Sequence, residues 1–196
     1  MTAEPLRALK NLRVLYLDLN NLSNLDPLGD LPNLASLNLG ENAAISNLAP
    51  LRRLKNLRKL EIFNTRVRDL SPLAGLTKLQ VLDVSNTPVR DLAPLSSLIS
   101  LKVLYINGTE VNSIKPLAKM AKMQELSMIK SKVSDIGAVA SMPELKDLVF
   151  AFAPVSSLAP AKNLKNLKMI YCVKSNVSDA EISSFKSSHP GVSVNE

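Results

Sequence analysis

Apolar residues recur along this chain with a period that is too long for a helix or a strand alone. When the sequence is written from Leu9 in blocks of 22 residues, with one extra residue near Ala43, eight copies of the pattern LxxLxxLxLxxNxVxDLxPLxx align as far as Phe185. A period of roughly 20 to 50 residues is typical of solenoids, because each unit buries its apolar side chains only against its neighbours. Positions in each unit are numbered here from 1, its first leucine.

Positions 7 and 9 are apolar in every unit and are separated by one variable residue. This alternation predicts a short strand with one buried face. Position 19 is proline in six units, so the second half of each unit cannot continue the strand and is expected to be a turn or a short 3-10 segment. Stacked units then align their strands in parallel. The sequence predicts an α/β repeat solenoid with a concave strand face and short 3-10 or irregular convex segments.

The repeated pattern resembles the leucine-rich repeat family. In unit length and in its DLxPL half it is most similar to the bacterial internalins and to the leucine-rich repeat regulatory subunit of protein phosphatase-1. The resemblance covers nearly the whole chain and implies a curved solenoid. It also implies a role in binding, since the family is a scaffold for many partners, but the fold alone does not identify the partner.

Position 12 is where the family usually has asparagine, whose side chain bonds the backbone of the turn. Asn20 and Asn42 match it, and five other units have threonine or serine, whose hydroxyls perform part of that task. The seventh unit has Ala153, which offers no side-chain bond. We therefore expect the seventh turn to be the least firmly held, or to be bridged by water.

The two ends of the repeat array differ. Residues 1–8 match the second half of an earlier unit, since Pro5 and Leu6 stand where Pro27 and Leu28 stand in the first unit. We therefore divide the chain into a partial repeat (1–8), eight repeats (9–185) and an overlapping C-terminal cap (178–196). This start suggests the C-terminal part of a longer repeat protein or an excised domain, with its N-terminal end packed on a preceding domain or on a second copy.

The cap is predicted from the last twenty residues. Ser178 stands three residues before Glu181, which is the spacing of a capping box, and Ile182 with Phe185 gives a short helix one apolar edge. The VSV segment after His189-Pro190-Gly191 can add a last strand. A solenoid needs such a cap because its last unit otherwise exposes the core.

Composition is ordinary for a globular chain, with 46% hydrophobic and 21% charged residues and a net charge of +7. No apolar run approaches the ~18 residues of a membrane span. Arg7, Lys10 and Arg13 interrupt any signal-peptide core in the first twenty residues, so no signal peptide is recognised. This leaves a cytoplasmic protein, one exported by a non-classical route, or an excised domain of a secreted protein.

The sequence contains few candidate catalytic residues. The only histidine, His189, lies in the C-terminal turn without an obvious partner, where we expect it to be exposed to solvent. The only cysteine, Cys172, occupies position 9 and is expected to be a core residue rather than a reactive thiol. Phosphate-binding loops and zinc motifs are absent from the sequence. We therefore predict no enzyme activity, no cofactor and no metal site.

The candidate binding residues are the outward-facing positions 6, 8 and 10, which flank the buried positions of each strand. All three tyrosines occupy position 8, and tyrosine is enriched at binding surfaces, although exposed strand positions favour it anyway. These three positions carry five acids against one lysine. The predicted partner-binding residues are Tyr16, Asp18, Asn38, Glu61, Phe63, Asp83, Ser85, Tyr105, Asn107, Ser127, Ile129, Val149 and Tyr171.

The basic excess lies elsewhere, at position 5, just before each strand. Five of the eight units have lysine or arginine there and none has an acid; these residues are Arg13, Arg58, Lys102, Lys146 and Lys168. Our hypothesis is a non-enzymatic, bacterial, protein-binding module that uses its concave face. Two alternatives remain open: a binding arm of a larger enzyme or host-targeted effector, and nucleic-acid or anionic-surface binding through this basic row.

Overall fold

The structure, a computed structural model, describes residues 4–196. These residues form one open, curved sheet of nine parallel strands that pair in sequence order. This arrangement confirms the predicted solenoid. The strands β1 to β9 are Val14–Tyr16, Ser36–Asn38, Lys59–Glu61, Val81–Asp83, Val103–Tyr105, Glu125–Ser127, Asp147–Val149, Met169–Tyr171 and Ser193–Asn195.

Short 3-10 helices form the opposite, convex side. Within residues 4–196 they are Glu4–Ala8, Asp26–Asp30, Ala49–Arg53, Ser71–Leu73, Ala93–Leu95, Lys115–Leu117, Gly137–Ser141 and Ala159–Ala161. The first of them covers residues 4–8 of the segment predicted as a partial repeat; residues 1–3 of that segment lie outside the described residues. It precedes β1 as the helix Asp26–Asp30 precedes β2.

The strands are only three residues long, because few residues of each unit form backbone hydrogen bonds with the adjacent unit before the chain turns. The carbonyl of Arg13 accepts bonds from the backbone N–H groups of Ala35 (2.8 Å) and Ser36 (3.0 Å), and the carbonyl of Gln80 does the same for the fifth unit. The middle residue of each strand from β2 to β8 is buried, whereas the residues beside it are mostly partly exposed. Alternation therefore places positions 6 and 8 on the concave surface.

Position 16 explains the polar residue of the DLxPL half. Its side-chain oxygen accepts a bond from the backbone N–H two residues later, at the start of the 3-10 helix: Asp69 bonds Ser71 (2.8 Å), and Asp91 bonds Ala93 (2.8 Å). Proline follows in the next place, where its missing N–H costs no bond. The half-repeat is thus a start signal for the convex helix.

Asn42 ties the first two units together. Its Nδ2 donates to the carbonyls of Leu17, Leu39 and Gly40, and its Oδ1 accepts from the backbone N–H groups of Asn20 and Leu22, all at 2.8 to 3.1 Å. Thr65, Thr87 and Thr109 instead make one hydroxyl bond to a carbonyl within their own unit.

The turn at Ala153 is closed by a backbone bond and has no side-chain bond at position 12. The backbone N–H of Ala153 donates to the carbonyl of Phe150 at 3.1 Å, as Ser131 does to Met128. Ala153 is itself buried. Backbone geometry closes this turn without a side-chain bond.

The C-terminal end is closed as predicted by a helix, α1 (Asp179–Ser188), and by β9. Ser178 Oγ accepts from the backbone N–H of Glu181 (3.2 Å). The reciprocal half of a capping box is absent, because Glu181 Oε1 instead accepts from the backbone N–H of Leu158 (2.7 Å) and from Ser157 Oγ (2.9 Å). Glu181 thereby fastens α1 to the seventh unit.

The first unit is less completely buried than the others. Leu12, Leu15 and Leu17 are only partly buried, although their counterparts in the second to seventh units are fully buried. Val14 and Tyr16 are 49% and 62% exposed. Within the described residues, β1 has a partner strand on one side only.

Candidate functional site

The predicted binding residues lie along one continuous strip of the concave face. The register pairs Glu61 with Asp83, Asp83 with Tyr105, and Val149 with Tyr171 on successive strands. With neighbouring strands about 4.8 Å apart, Tyr16 lies roughly 19 Å from Tyr105 across four strand steps. The three tyrosines therefore mark the two ends and the middle of the strip and do not form one cluster.

Tyr105 lies at the centre of the strip among carboxylates. Burial, hydrogen bonding with the Glu125 carboxylate, and the charges of Glu125, Asp83 and Asp147 together raise the pKa of the Tyr105 hydroxyl well above its usual value. The phenol therefore stays protonated at physiological pH and keeps a proton to donate. The surrounding carboxylates of Glu125, Asp83 and Asp147 make this a negatively charged part of the concave face.

Asp83 is partly withdrawn from solvent beside Tyr105. Burial raises the pKa of the Asp83 carboxyl, and the charge of Glu61 adds to the rise, whereas bonds from Ser85 act against it. Glu61 is itself paired with Lys59 at 3.0 Å. The lysine neutralises one edge of the acidic centre and leaves Asp83, Glu125 and Asp147 facing the open surface.

Phe63 packs sideways across the neighbouring unit. A Cβ placed on Gly40 would lie 2.4 Å from Cε1 and Cζ of the Phe63 ring, so the ring occupies the space that the glycine leaves open. The ring is consequently only partly exposed. Phe63 contributes both to the packing of two units and to the apolar surface of the concave face.

Several polar residues of the strip are occupied by bonds within the protein. Asn107 Oδ1 accepts from Ser127 Oγ (2.7 Å) and from the backbone N–H of Ile129 (2.8 Å). Asn38 likewise accepts from the backbone N–H of Gly40 (2.9 Å). Ser85 and Ser127 are only 9% and 4% exposed, so they offer little surface to a partner.

Position 11 was not predicted as a site, and the structure makes it conspicuous. The backbone is left-handed at this position in all eight units, with φ between 53° and 62°. Phe152 occupies it in the seventh unit, is 45% exposed, and lies between Lys130 and Lys174 of the adjoining units. A bulky phenylalanine aligned with Asn64, Asn86 and Gly108 was the signal available in the sequence.

The basic row at position 5 lies along one margin of the sheet. Arg13, Arg58 and Lys168 are exposed, and Lys102 and Lys146 are partly exposed. The carbonyls of these residues accept bonds from the next unit, so the row follows the strand ladder. It directly adjoins the acidic centre, because Glu125 and Asp147 stand at position 6, the next residue along the chain.

The groups considered for catalysis have structural surroundings. His189 is partly buried rather than exposed as expected: its ring stacks on Phe185 with centroids 4.1 Å apart, and its Nε2 lies 2.8 Å from the carbonyl oxygen of Lys162. Cys172 is buried, and burial raises the pKa of its thiol. Among residues 4–196 no group of three or more potential metal ligands comes together, and no helix is long and apolar enough to cross a membrane.

Comparison with known proteins agrees with the architecture. A family model described as leucine-rich repeats (two copies) matches residues 6–53 and 55–97. Internalin C2 of Listeria monocytogenes is similar to the chain in sequence and structure, with 29% identity and a TM-score of 0.85 over 88% of this chain and 76% of that one. None of the curated proteins matches the chain.

Two further solved structures are similar in fold. A leucine-rich repeat protein of Leptospira interrogans has 22% identity and a TM-score of 0.92, covering all of this chain and 52% of that one. An internalin F of L. monocytogenes has 23% identity and a TM-score of 0.59, covering all of this chain and 70% of that one.

Proposed function

We propose that this chain, which is similar to leucine-rich repeat proteins and to internalin C2, is a binding module that holds a second protein on its concave face. The observation that carries the proposal is the acidic centre around Tyr105, on a sheet face that no element within residues 4–196 covers. A protonated phenol among carboxylates offers a partner both apolar contact and hydrogen bonds. The two similar internalins and the Leptospira protein also favour a bacterial origin.

The proposed mechanism is rigid presentation of a preformed surface. Parallel pairing fixes the strands, and bonds such as those of Asn38 and Asn107 fix the backbone just beyond them. A surface that is already ordered loses little conformational entropy on binding, so a few anchors can supply most of the affinity. Lysine or arginine of the partner is the natural complement of Asp83, Glu125 and Asp147.

We propose that the domain acts without catalysis, as leucine-rich repeat domains generally do. Two observations support this. His189 is committed to the cap by its contacts with Phe185 and Lys162, and the Cys172 thiol is buried with a raised pKa, which disfavours the reactive thiolate. Ser188 Oγ lies 2.9 Å from His189 Nδ1, but this hydroxyl also bonds the backbone carbonyl of Ser184 within α1, so the pair belongs to the cap rather than to an open site.

The test is a capture experiment followed by measurement on variants. Proteins captured from a bacterial or host extract by the wild-type chain are purified, and their affinity for Tyr105→Ala is measured by calorimetry. We expect a loss of about 2 kcal/mol, since a central tyrosine anchor commonly contributes that much. Thr77→Ala, an exposed change at position 2 outside the concave face, is the matched control.

Two outcomes would contradict the proposal. Equal affinity for wild type and Tyr105→Ala would place the binding surface elsewhere. Binding of nucleic acid that falls steeply with salt and is lost when Arg58 and Lys102 are replaced would instead favour the basic row at position 5.

A further inference from the structure

Position 11 has a backbone conformation that suits only a few residue types. A left-handed φ costs an ordinary residue roughly 1–2 kcal/mol, and glycine and asparagine tolerate it best. Asn64, Asn86 and Gly108 occupy the position in the third to fifth units. Leu19, Glu41, Lys130 and Lys174 occupy it in other units, so the fold accommodates a range of side chains at this position.

Phe152 is the aromatic residue among the eight at position 11, and its ring does not repay the backbone cost by burial. Its φ is 59° and its side chain remains 45% exposed. The residues on either side, Ala151 and Ala153, are buried. Backbone bonds from the N–H of Phe152 to the carbonyl of Val173 (2.9 Å) and from Lys130 to Ala151 (2.9 Å) hold the position rigidly. An exposed aromatic ring that packing does not require is a candidate for contact with a partner.

The ring of Phe152 lies between two cations. Lys130 Nζ lies 5.7 Å and Lys174 Nζ 5.3 Å from the ring centroid. Neither lysine has a carboxylate within salt-bridge distance among residues 4–196. Lys132, two residues after Lys130, is by contrast already paired with Glu110. We call Lys130, Phe152 and Lys174 the rim anchor.

Apolar and acidic neighbours restrict what the rim anchor fits. Ile129 and Val173, at position 10 beside it, are partly exposed and extend the apolar surface. Glu125 and Asp147 lie on β6 and β7 of the same units and face the concave side. These acids repel a long polyanion laid across the strands, whereas a single carboxylate at the strand ends escapes them.

We infer that the rim anchor binds an acidic segment of the protein partner, in which an apolar side chain covers the Phe152 ring and an adjacent aspartate or glutamate pairs with Lys130 and Lys174. The inference rests on the proposed function and states how the partner is oriented along the concave face. The basic part of the partner lies over Tyr105, and its acidic part lies over units six to eight.

The probe is a displayed library of random linear peptides selected on the immobilised wild-type protein. We expect enrichment of peptides with an acidic residue next to an apolar one. Their affinity should fall by about tenfold or more on Phe152→Asn, and also on the pair Lys130→Gln with Lys174→Gln, as expected when an aromatic or paired-charge contact is lost. Asparagine is chosen at 152 because it suits the left-handed backbone, so the variant should fold at least as stably as wild type.

Leu19→Asn is the matched control, because Leu19 is also an exposed, bulky residue at position 11, at the other end of the array. It should relieve similar strain and leave peptide binding unchanged.

The inference is overturned if acidic peptides are not enriched, or if the selected peptides bind Phe152→Asn as tightly as wild type. It is also overturned if single-stranded polyuridine or phosphatidylserine vesicles bind wild type through Phe152, which would identify a nucleic acid or a lipid surface. Peptides that need Tyr105 and not Phe152 would overturn it while supporting the proposed function. Peptides that need neither residue would count against both.

Discussion

Asp83 shows how one concave-face residue is held in an unfavourable environment. Its carboxylate is partly buried near Glu61 and keeps a raised pKa although the backbone N–H of Ser85 donates to it at 2.8 Å. Asp69 is the opposite case, because bonds from Ser71 lower the pKa of an exposed carboxyl. The charge of Asp83 therefore disfavours the folded state, whereas the charge of Asp69 favours it.

Asp83→Asn should raise stability at neutral pH. A raised folded-state pKa means that the charged form is disfavoured on folding, so wild type loses stability as pH rises from the unfolded pKa through the folded one. Asparagine avoids this cost and can still accept the Ser85 bond, as Asn38 does with Gly40. Urea unfolding should show the variant more stable at pH 7, with the difference vanishing near about pH 3.

Asp69→Asn provides the control of opposite sign. A lowered folded-state pKa contributes stability above the unfolded pKa that is lost as pH falls through the folded one. This variant should be less stable than wild type at pH 7, and the difference should again disappear in acid. Equal curves for wild type and Asp83→Asn at all pH values would contradict the assigned burial cost.

Neighbouring repeat units interlock where the aromatic ring of Phe63 packs over Gly40. Gly40 and Phe63 belong to successive units, and the ring fills the place where a side chain of residue 40 would stand. The backbone of Gly40 is not left-handed, since Gly108 is the glycine with that conformation in the described residues. The need for glycine at residue 40 is therefore steric and comes from the adjacent unit.

Gly40→Ala should lower the free energy of unfolding by about 1–3 kcal/mol, because the added methyl must displace the ring. In a Phe63→Ala background the same change should cost less than about 0.5 kcal/mol, which a double-mutant cycle measures. Gly191→Ala, where nothing lies within 4 Å of the added carbon, is the control with little expected effect. Additive effects at residues 40 and 63 would show that the two residues do not share this space.

The whole molecule is a linear array of units, and its two ends differ in how completely they bury their apolar side chains. The C-terminal end is closed by α1, whose Ile182 and Phe185 are buried and whose Glu181 reaches the seventh unit. The N-terminal end leaves Leu9 at 47% and Leu19 at 74% exposure within the described residues. Each unit contacts mainly its neighbours, so disturbance at one end is not expected to spread far.

Glu181→Ala should loosen the C-terminal end alone. It leaves the backbone N–H of Leu158 without its partner in a buried position, at a cost of about 1–3 kcal/mol. Hydrogen exchange should quicken in the seventh and eighth units and remain unchanged around β3 to β5. Glu181→Gln keeps an accepting oxygen and should restore most of the protection. Uniform loss of protection along the chain would show that the array unfolds as a single cooperative unit.

The sequence by itself determined the repeat, the parallel strand order and the C-terminal cap. Each of these follows from local rules: the spacing of positions 7 and 9 sets the strand, and proline at position 19 favours the 3-10 helix on the convex side. The outward direction of positions 6 and 8 follows from strand alternation as well. The prediction from these local patterns is reliable because the same pattern occurs in eight units.

Only the tertiary structure decided what each outward residue is free to do. Phe63 lies across Gly40, Asn107 is bonded to Ser127, and His189 reaches the carbonyl oxygen of Lys162, because residues twenty or more positions apart in sequence become neighbours when units stack. The exposure of the Phe152 ring, and the two lysines beside it, likewise emerge only from folding. A repeat pattern specifies the shape of one unit, whereas contacts between units depend on side chains that the pattern leaves variable.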